Sequence, residues 1–263
     1  MARGAEIVDK ENAIPGDLVI NQYQKGITMN STGRLNAQDN TLRPDNSALL
    51  LVDYQALILL SIQSRDRAQL TQNIVGLARA ARAFEVPVLL TTMAATGFGG
   101  PLLPELRDIF PDITVNTRTA INPWDDEHFL NSVKDLRRKK LIIAGLWTEL
   151  SLALPVLSAV DDGYSVYFVA DTSGGVSEKT HQIACQQLIQ AGARPRTWQQ
   201  LMFSWQRDWT CLETVEAVQD IIRLHGSAFP PSAIYAKNLA MRGEEARVLQ
   251  APRRGLRPAD MAR

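Results

Sequence analysis

The stretch KLIIAGLWTELSLALPVLSA, Lys140 to Ala159, gathers Thr148, Glu149 and Ser151 at the point where a strand runs into a helix. Leu141, Ile142, Ile143 and Ala144 form an uninterrupted apolar run that suits a parallel strand covered on both faces, and Gly145 ends it. From Glu149 to Val160 apolar residues are dense and then meet Asp161, Asp162 and Gly163, which predicts a mostly buried helix with a polar, glycine-marked end. The turn Thr148 to Ser151 then lies at a helix N-terminus, whose positive potential and unpaired N–H groups stabilise an anionic nucleophile or an oxyanion. A serine hydroxyl has little acidity of its own and needs a base in hydrogen-bond contact before it attacks a carbonyl.

The elements that must position this turn alternate along the chain. Ala48 to Asp53, Pro87 to Thr92, Ile113 to Thr117, Lys140 to Ala144, Ser165 to Ala170 and Arg194 to Trp198 read as strands. Between them, Ala68 to Phe84 carries Leu70, Ile74, Leu77, Ala78, Ala81 and Phe84 on one helical stripe, and Glu127 to Arg137 and Glu178 to Gln190 are further amphipathic segments. Such β-α alternation predicts an α/β protein: a three-layer α/β/α arrangement around a mostly parallel sheet of about six strands. Ligands of such sheets bind outside the carboxyl ends of the strands.

Composition fits that fold and excludes several functions. The 263 residues are 45% hydrophobic, enough for a full core, and 28 basic residues balance 28 acidic ones, so nothing favours a nucleic-acid groove or an acidic lipid surface. The first residues, MARGAEIVDKENAIPGD, lack the apolar core of a signal peptide, and no apolar run approaches the roughly 18 residues of a membrane helix, so a cytoplasmic location is expected. Cys185 and Cys211 are too few for a disulfide framework or a zinc site and read as buried free thiols.

Several ordered blocks carry a resemblance. GLWTELSLALPVLSA, LLLVDYQ at Leu49 to Gln55, TTMAATGFGGPLLPEL, INPWDDEHF at Ile121 to Phe129, DTSGG at Asp171 to Gly175 and QRDW at Gln206 to Trp209 together resemble the isochorismatase-like cysteine hydrolases, especially their oligomeric YcaC-like branch, over residues 45 to 210. The resemblance implies the Rossmann-like fold of that family, a small-molecule substrate, hydrolysis of a small amide or related C–N bond, and a homo-oligomer. It also implies an Asp-Lys-Cys triad. The acid corresponds to Asp53, the lysine position falls near Arg118, and the cysteine position holds Ser151. All three lie at predicted strand ends although far apart in sequence.

The departures matter chemically. A cysteine, with an ordinary pKa of about 8.5, supplies thiolate near neutrality, whereas serine does not, and the Arg118 guanidinium cannot shuttle a proton. Three readings of Ser151 stand open: a cysteine replaced to trap a ligand, a natural enzyme that has decayed, or one whose reaction needs no thiol. Some members of the resembled family cleave a vinyl ether with the aspartate as general acid, a part Asp53 could take. A binding protein that keeps the fold without the reaction is the alternative to all catalytic readings, with Ser151 then serving its own turn. Relatives also place a cis peptide before the threonine of this turn, here Trp147–Thr148, which would aim the Leu150 and Ser151 N–H groups at a substrate oxygen.

Around the triad, Phe98, Trp147 and Trp124 are expected to line an apolar pocket, with Asn122 and Glu149 as polar contacts. GFGG at Gly97 to Gly100 lacks the spacing of a dinucleotide fingerprint and reads as a loop near that pocket. His128, His181 and His225 give no metal-ligand spacing; no metal and no cofactor are predicted. Residues 1–45 and 226–263 read as extensions flanking a domain at 46–225, either solvated tails or arms that wrap a neighbouring subunit. Trp205 and Trp209 are expected on one helix as an apolar patch, and Arg253, Arg254 and Arg257 as a solvated end.

Overall fold

A computed structural model describes residues 41–226 of the chain. The predicted extensions, with FPPSA and the terminal arginines, lie almost wholly outside the described residues, although Leu42 is already buried in the core. Six strands form one parallel sheet in the order β3-β2-β1-β4-β5-β6: β1 (Ser47–Val52), β2 (Val88–Met93), β3 (Asn116–Arg118), β4 (Lys140–Gly145), β5 (Ser165–Val169) and β6 (Arg194–Arg196). The chain leaves β1 toward one edge through β2 and β3, then returns to the other side of β1 for β4. The switch point lies between β1 and β4, where crevices form in doubly wound sheets.

The alternation of side chains along the central strands explains the three layers. Leu49 and Leu51 of β1 and Ile142 and Ala144 of β4 pack with α2 (Arg67–Ala83), α7 (Trp198–Gln206) and α8 (Leu212–His225). Ala48, Leu50 and Val52, with Leu141 and Ile143, pack with α4 (Glu127–Asp135), α5 (Ala153–Asp161) and α6 (Glu178–Gln190). Every β1 residue is buried, as a strand covered on both faces requires. Two short helices, α1 (Ala56–Leu60) and α3 (Pro104–Ile109), complete the set after β1 and β2. Side-chain caps start four helices, with Asp66 before α2, Asp126 before α4, Ser177 before α6, and a reciprocal capping box of Thr197 and Gln200 at α7.

Four local expectations are corrected. The third strand is short and late, Asn116–Arg118, so Arg118 is its last residue and not a loop residue beyond it. Residues 149–160 are not one helix: a π-turn, Thr148–Leu152, precedes α5. α7 stops at Gln206, so Trp205 is buried at 4% exposure while Trp209, at 55%, packs edge-on to Phe203 from outside the helix. Cys185 is half-buried and Cys211 exposed.

Gly145 at the end of β4 is a close-approach glycine. A Cβ there would come within 2.8 Å of the Ser151 carbonyl oxygen and 3.1 Å of the Val52 carbonyl oxygen, so the π-turn rests directly on the strand ends. These are backbone atoms, which do not swing aside. Gly145→Ala is therefore expected to lower stability by about 1–3 kcal/mol in urea denaturation, the usual cost of overpacking a fitted interior.

Candidate active site

Asp53 follows β1 with φ 56°, in the left-handed region that aspartate tolerates better than most side chains. Its N–H donates to the Thr91 carbonyl at 2.9 Å and its carbonyl accepts from Gln55 N–H at 2.8 Å, which pins the residue between β1 and β2. Arg118 reaches across β2 from the end of β3. Its Nη1 donates to Asp53 Oδ1 at 2.8 Å and to Thr91 Oγ1 at 2.9 Å, and its Nη2 donates to Asp53 Oδ2 at 2.7 Å and to the Ile121 carbonyl at 3.2 Å. Ser151 Oγ donates to Asp53 Oδ2 at 2.6 Å. The structure thus brings Asp53, Arg118 and Ser151 together, at 0%, 2% and 3% exposure.

The pair is a fork-to-fork guanidinium–carboxylate contact with no exposed surface on either side chain. Arg118 Nε is buried without a partner, so the guanidinium is held at its two terminal nitrogens. Two surface hollows, of about 530 Å³ beside α7 and about 660 Å³ beside Arg138 and Tyr164, lie away from this cluster.

Ser151 owes its position to the π-turn. Thr148 N–H donates to the Gly174 carbonyl at 2.9 Å, the Trp147 carbonyl accepts from Leu150 N–H at 3.1 Å and Leu152 N–H at 3.2 Å, and Ala153 N–H donates to the Leu150 and Thr148 carbonyls. Pro155 has no N–H to offer the Ser151 carbonyl, which leaves an ordinary α-turn incomplete at this point. Leu150 N–H, expected as an oxyanion donor, donates to the Trp147 carbonyl within the turn. The cis peptide is Leu146–Trp147, one bond earlier than expected.

The expected pocket residues separate into two groups. Phe98 is 63% exposed and meets Trp147 edge-on at 5.8 Å, and Trp147 Nε1 donates to Ser61 Oγ, so these rings form an apolar wall beside the turn. Glu149 Oε1 accepts from Val176 N–H at 3.3 Å, while Oε2 is buried without a partner. Asn122 and Trp124 do other work. Asn122 caps the short 3-10 turn Pro123–Asp125 and donates to Ser158 Oγ, and Trp124 is buried against Phe129 and Tyr164 with its Nε1 donating to Asp162. Among the described residues no group of three or more His, Cys, Asp or Glu is placed to hold a metal ion, and no helix is long and apolar enough to cross a membrane.

Sequence reasoning missed four residues around this centre. Thr91 supports Arg118 from inside a strand, where its hydroxyl carries no spacing signal. Gln55 ties β1 to the loop after β2, with Nε2 donating to the Met93 and Gly100 carbonyls and Oε1 accepting from Met93 N–H; it stood at the end of the LLLVDYQ block. Arg65 and His181, distant in sequence, meet behind Thr148. Burial, and then the Arg65 charge, lowers the His181 pKa to about 4, and burial raises Asp171 to about 6 although the Trp198 N–H partly opposes it. Burial also pushes the Tyr54 hydroxyl and the Cys185 thiol up.

Fold and site together define a doubly wound α/β protein whose carboxylate, guanidinium and hydroxyl meet at the carboxyl ends of parallel strands, the architecture of an isochorismatase-like hydrolase. The Isochorismatase domain model matches residues 47–200. The chain belongs to the isochorismatase family. It is 41% identical over 169 residues to the probable hydrolase YcaC of Escherichia coli (strain K12), covering 64% of this chain and 81% of that protein. The crystal structure of the Escherichia coli YcaC gene product, described as an octameric hydrolase of unknown specificity, superposes with a TM-score of 0.73 and 35% identity over 76% of this chain and 98% of that one. YcaC from Pseudomonas aeruginosa, solved with hexane-2,5-diol and covalent acrylamide, gives a TM-score of 0.70 and 34% identity over 78% of this chain and 98% of that one.

Two predictions follow from the electrostatics. Arg118→Met leaves a buried carboxylate without its cation and should destabilise the fold by about 3–5 kcal/mol in urea denaturation, with much of the loss recovered in Asp53→Leu/Arg118→Met. The second concerns acid. His181 binds its proton near 6.5 when unfolded and near 4 when folded, so its contribution to stability is lost as pH falls through that window. Asp171 runs the other way: its folded value of about 6 lies above 3.8, so its contribution is present in acid and lost as pH rises through 6. As pH is lowered from 6.5 to 4, His181→Asn should therefore gain stability relative to the wild-type chain, and Asp171→Asn should lose it, in denaturation series at constant ionic strength.

Proposed function

We propose that the chain is a slow hydrolase of a small amide or related C–N bond, with Ser151 as nucleophile and Asp53 as its proton acceptor and donor. The observation that carries this reading is the 2.6 Å hydrogen bond from Ser151 Oγ to Asp53 Oδ2. In the forward step Asp53 takes the hydroxyl proton as Oγ attacks the substrate carbonyl carbon. Asp53 then gives that proton to the departing amine as the C–N bond breaks, leaving an acyl-serine. Water attacks the ester with Asp53 as base, the acid is released, and Oγ regains its proton. Ser151 N–H, in the π-turn two residues before α5, is the backbone donor assigned to the oxyanion, since Leu150 N–H is engaged.

Arg118 explains why turnover would be slow. It orients Asp53 but draws on both carboxylate oxygens, and it has no proton to exchange. In the vinyl-ether reading Asp53 must carry a proton before the reaction begins, whereas the amide reading takes it from Ser151 Oγ along the hydrogen bond that Oδ2 already accepts. The covalent acrylamide in Pseudomonas aeruginosa YcaC, a small primary amide, supports an amide-sized site. The octamer of the Escherichia coli protein supports a homo-oligomer here, and a small-molecule substrate and a cytoplasmic location complete the reading.

A second reading is a non-catalytic binding protein of the same fold, favoured by the full occupation of Asp53 by Arg118 and Ser151. The deciding experiment compares the wild-type chain, Ser151→Cys and Ser151→Cys/Asp53→Asn on a panel of small amides and on isochorismate. The hydrolase reading expects Ser151→Cys to raise amide turnover about tenfold or more, and the added Asp53→Asn to lower it by about 10²–10⁴-fold. Amides that bind to both the serine and cysteine forms without turnover in either would instead establish the binding protein.

A further inference from the structure

Behind the nucleophile turn lies a buried relay that the proposed reaction does not use. His181, in the first turn of α6, is 8% exposed. Its Nε2 lies 2.8 Å from Arg65 Nη2, and its Nδ1 lies 2.7 Å from Thr148 Oγ1. The chemistry of the partners assigns the proton. A guanidinium nitrogen only donates, so Nε2 must accept and carry no hydrogen; Nδ1 then bears the single ring proton and donates to the Thr148 hydroxyl. Thr148 is the first residue of the π-turn that carries Ser151, and its N–H is already fixed to the Gly174 carbonyl. Side chain and backbone of this residue are thus clamped from two sides, one of them through the imidazole.

We propose that His181 is a positioning residue of the nucleophile turn: Arg65 holds it in the Nδ1–H tautomer, and that N–H fixes Thr148 and through it the aim of Ser151. The proposal rests on the hydrolase reading for what Ser151 does, but not for where it is held. The other ionisable groups around the ring are consistent with a neutral imidazole. Arg65 arrives from the segment between α1 and α2, Cys185 Sγ from the next turn of α6 at 3.7 Å from Nε2, and Glu149 approaches across Gly175, with its Oε1 taken by Val176 N–H. A second ring proton would have to sit on Nε2, against the Arg65 cation. Burial and that cation act in the same direction on the ring, which stays neutral until about pH 4.

The test uses the full chain in the Ser151→Cys form, with the rate of thiol alkylation by iodoacetamide between pH 6 and 9 as readout, beside amide turnover and circular dichroism. His181→Leu removes the donor and is expected to slow alkylation about tenfold and move its pH midpoint, the scale of a misaimed reacting group. His181→Asn, whose side-chain N–H stands near the Nδ1 position, should restore most of the rate, and Thr148→Val should reproduce the loss that Thr148→Ser avoids. A folded His181→Leu with rate and midpoint within about twofold of its parent would overturn the proposal, because a role in packing alone leaves the thiol's aim intact.

Nitrogen-15 NMR of histidine-labelled wild-type chain supplies a second arm that needs no variant. A proton on Nδ1 is expected, and a proton on Nε2 overturns the relay even if His181→Leu does not fold. Failure of the Ser151→Cys form to hydrolyse any amide counts against the hydrolase reading alone; the alkylation and tautomer results still decide the positioning role.

Discussion

Everything at the carboxyl end of this sheet is arranged around one buried ion pair. Asp53 and Arg118 come from the ends of β1 and β3, two strands that do not touch, and their side chains close over β2 with Thr91 as the intermediate support. Taking two charges out of water costs several kcal/mol per ion, and only good geometry with additional hydrogen bonds offsets it. That condition is met here: two parallel N–H···O contacts, a threonine hydroxyl, a backbone carbonyl, and the Ser151 hydroxyl on the same carboxylate oxygen. The pair is weak evidence for stability and strong evidence for register. A slip of β3 against β2 would leave both charges buried alone.

The second constraint is steric. Ser151 reaches Asp53 because the π-turn lies flat on the ends of β1 and β4, and it lies flat because residue 145 has no side chain. The turn is held at three other places: Thr148 N–H on Gly174, the Trp147 carbonyl shared by two N–H groups, and Thr148 Oγ1 on the His181 ring. Asp53 and the turn occupy neighbouring strands at the switch point, so a change in the β1–β4 spacing would alter the Asp53–Ser151 contact directly. Arg118, coming from the β2 and β3 side of β1, would keep its contact with Asp53 through such a change.

How much of this was legible in the sequence depended on the range of the signal. The sheet was readable because each central strand is a compact apolar run bounded by polar residues or glycine, and helix α6 because Glu178 to Gln190 is an amphipathic segment. β3 was misplaced because Ile113 and Val115 pack against the core from an irregular segment, and the ladder itself falls on Asn116, Thr117 and Arg118, residues without a strand-like pattern. Trp124 and Trp147 looked equivalent as aromatic residues near strand ends. Their environments separate them, since Trp124 sits among the buried residues of α4 and α5 and Trp147 beside the turn. Asp53, Arg118 and Ser151 could be marked as strand-end residues, but their convergence comes from strand order, which periodicity does not encode. Arg65 and His181 left no trace because their partners lie 116 and 33 positions away.

In the proposed reading, Ser151 and Arg118 form a matched pair at the positions where the resemblance implies a cysteine and a lysine. A thiolate beside a carboxylate puts two negative charges together, and a titratable ammonium can absorb part of that charge by giving or taking a proton. With a hydroxyl at position 151, the resting site pairs the Asp53 carboxylate with one permanent cation, and both carboxylate oxygens and both terminal guanidinium nitrogens are hydrogen-bonded. A guanidinium suits that state better than an ammonium, because its fork matches both carboxylate oxygens and still reaches Thr91 and Ile121. The arrangement therefore stabilises the ground state of the site. In the proposed reaction the proton runs along the Ser151–Asp53 hydrogen bond onto a carboxylate whose two oxygens Arg118 already holds, and the barrier this adds belongs to chemistry, not to binding. A ligand that displaces no member of the centre meets no such barrier.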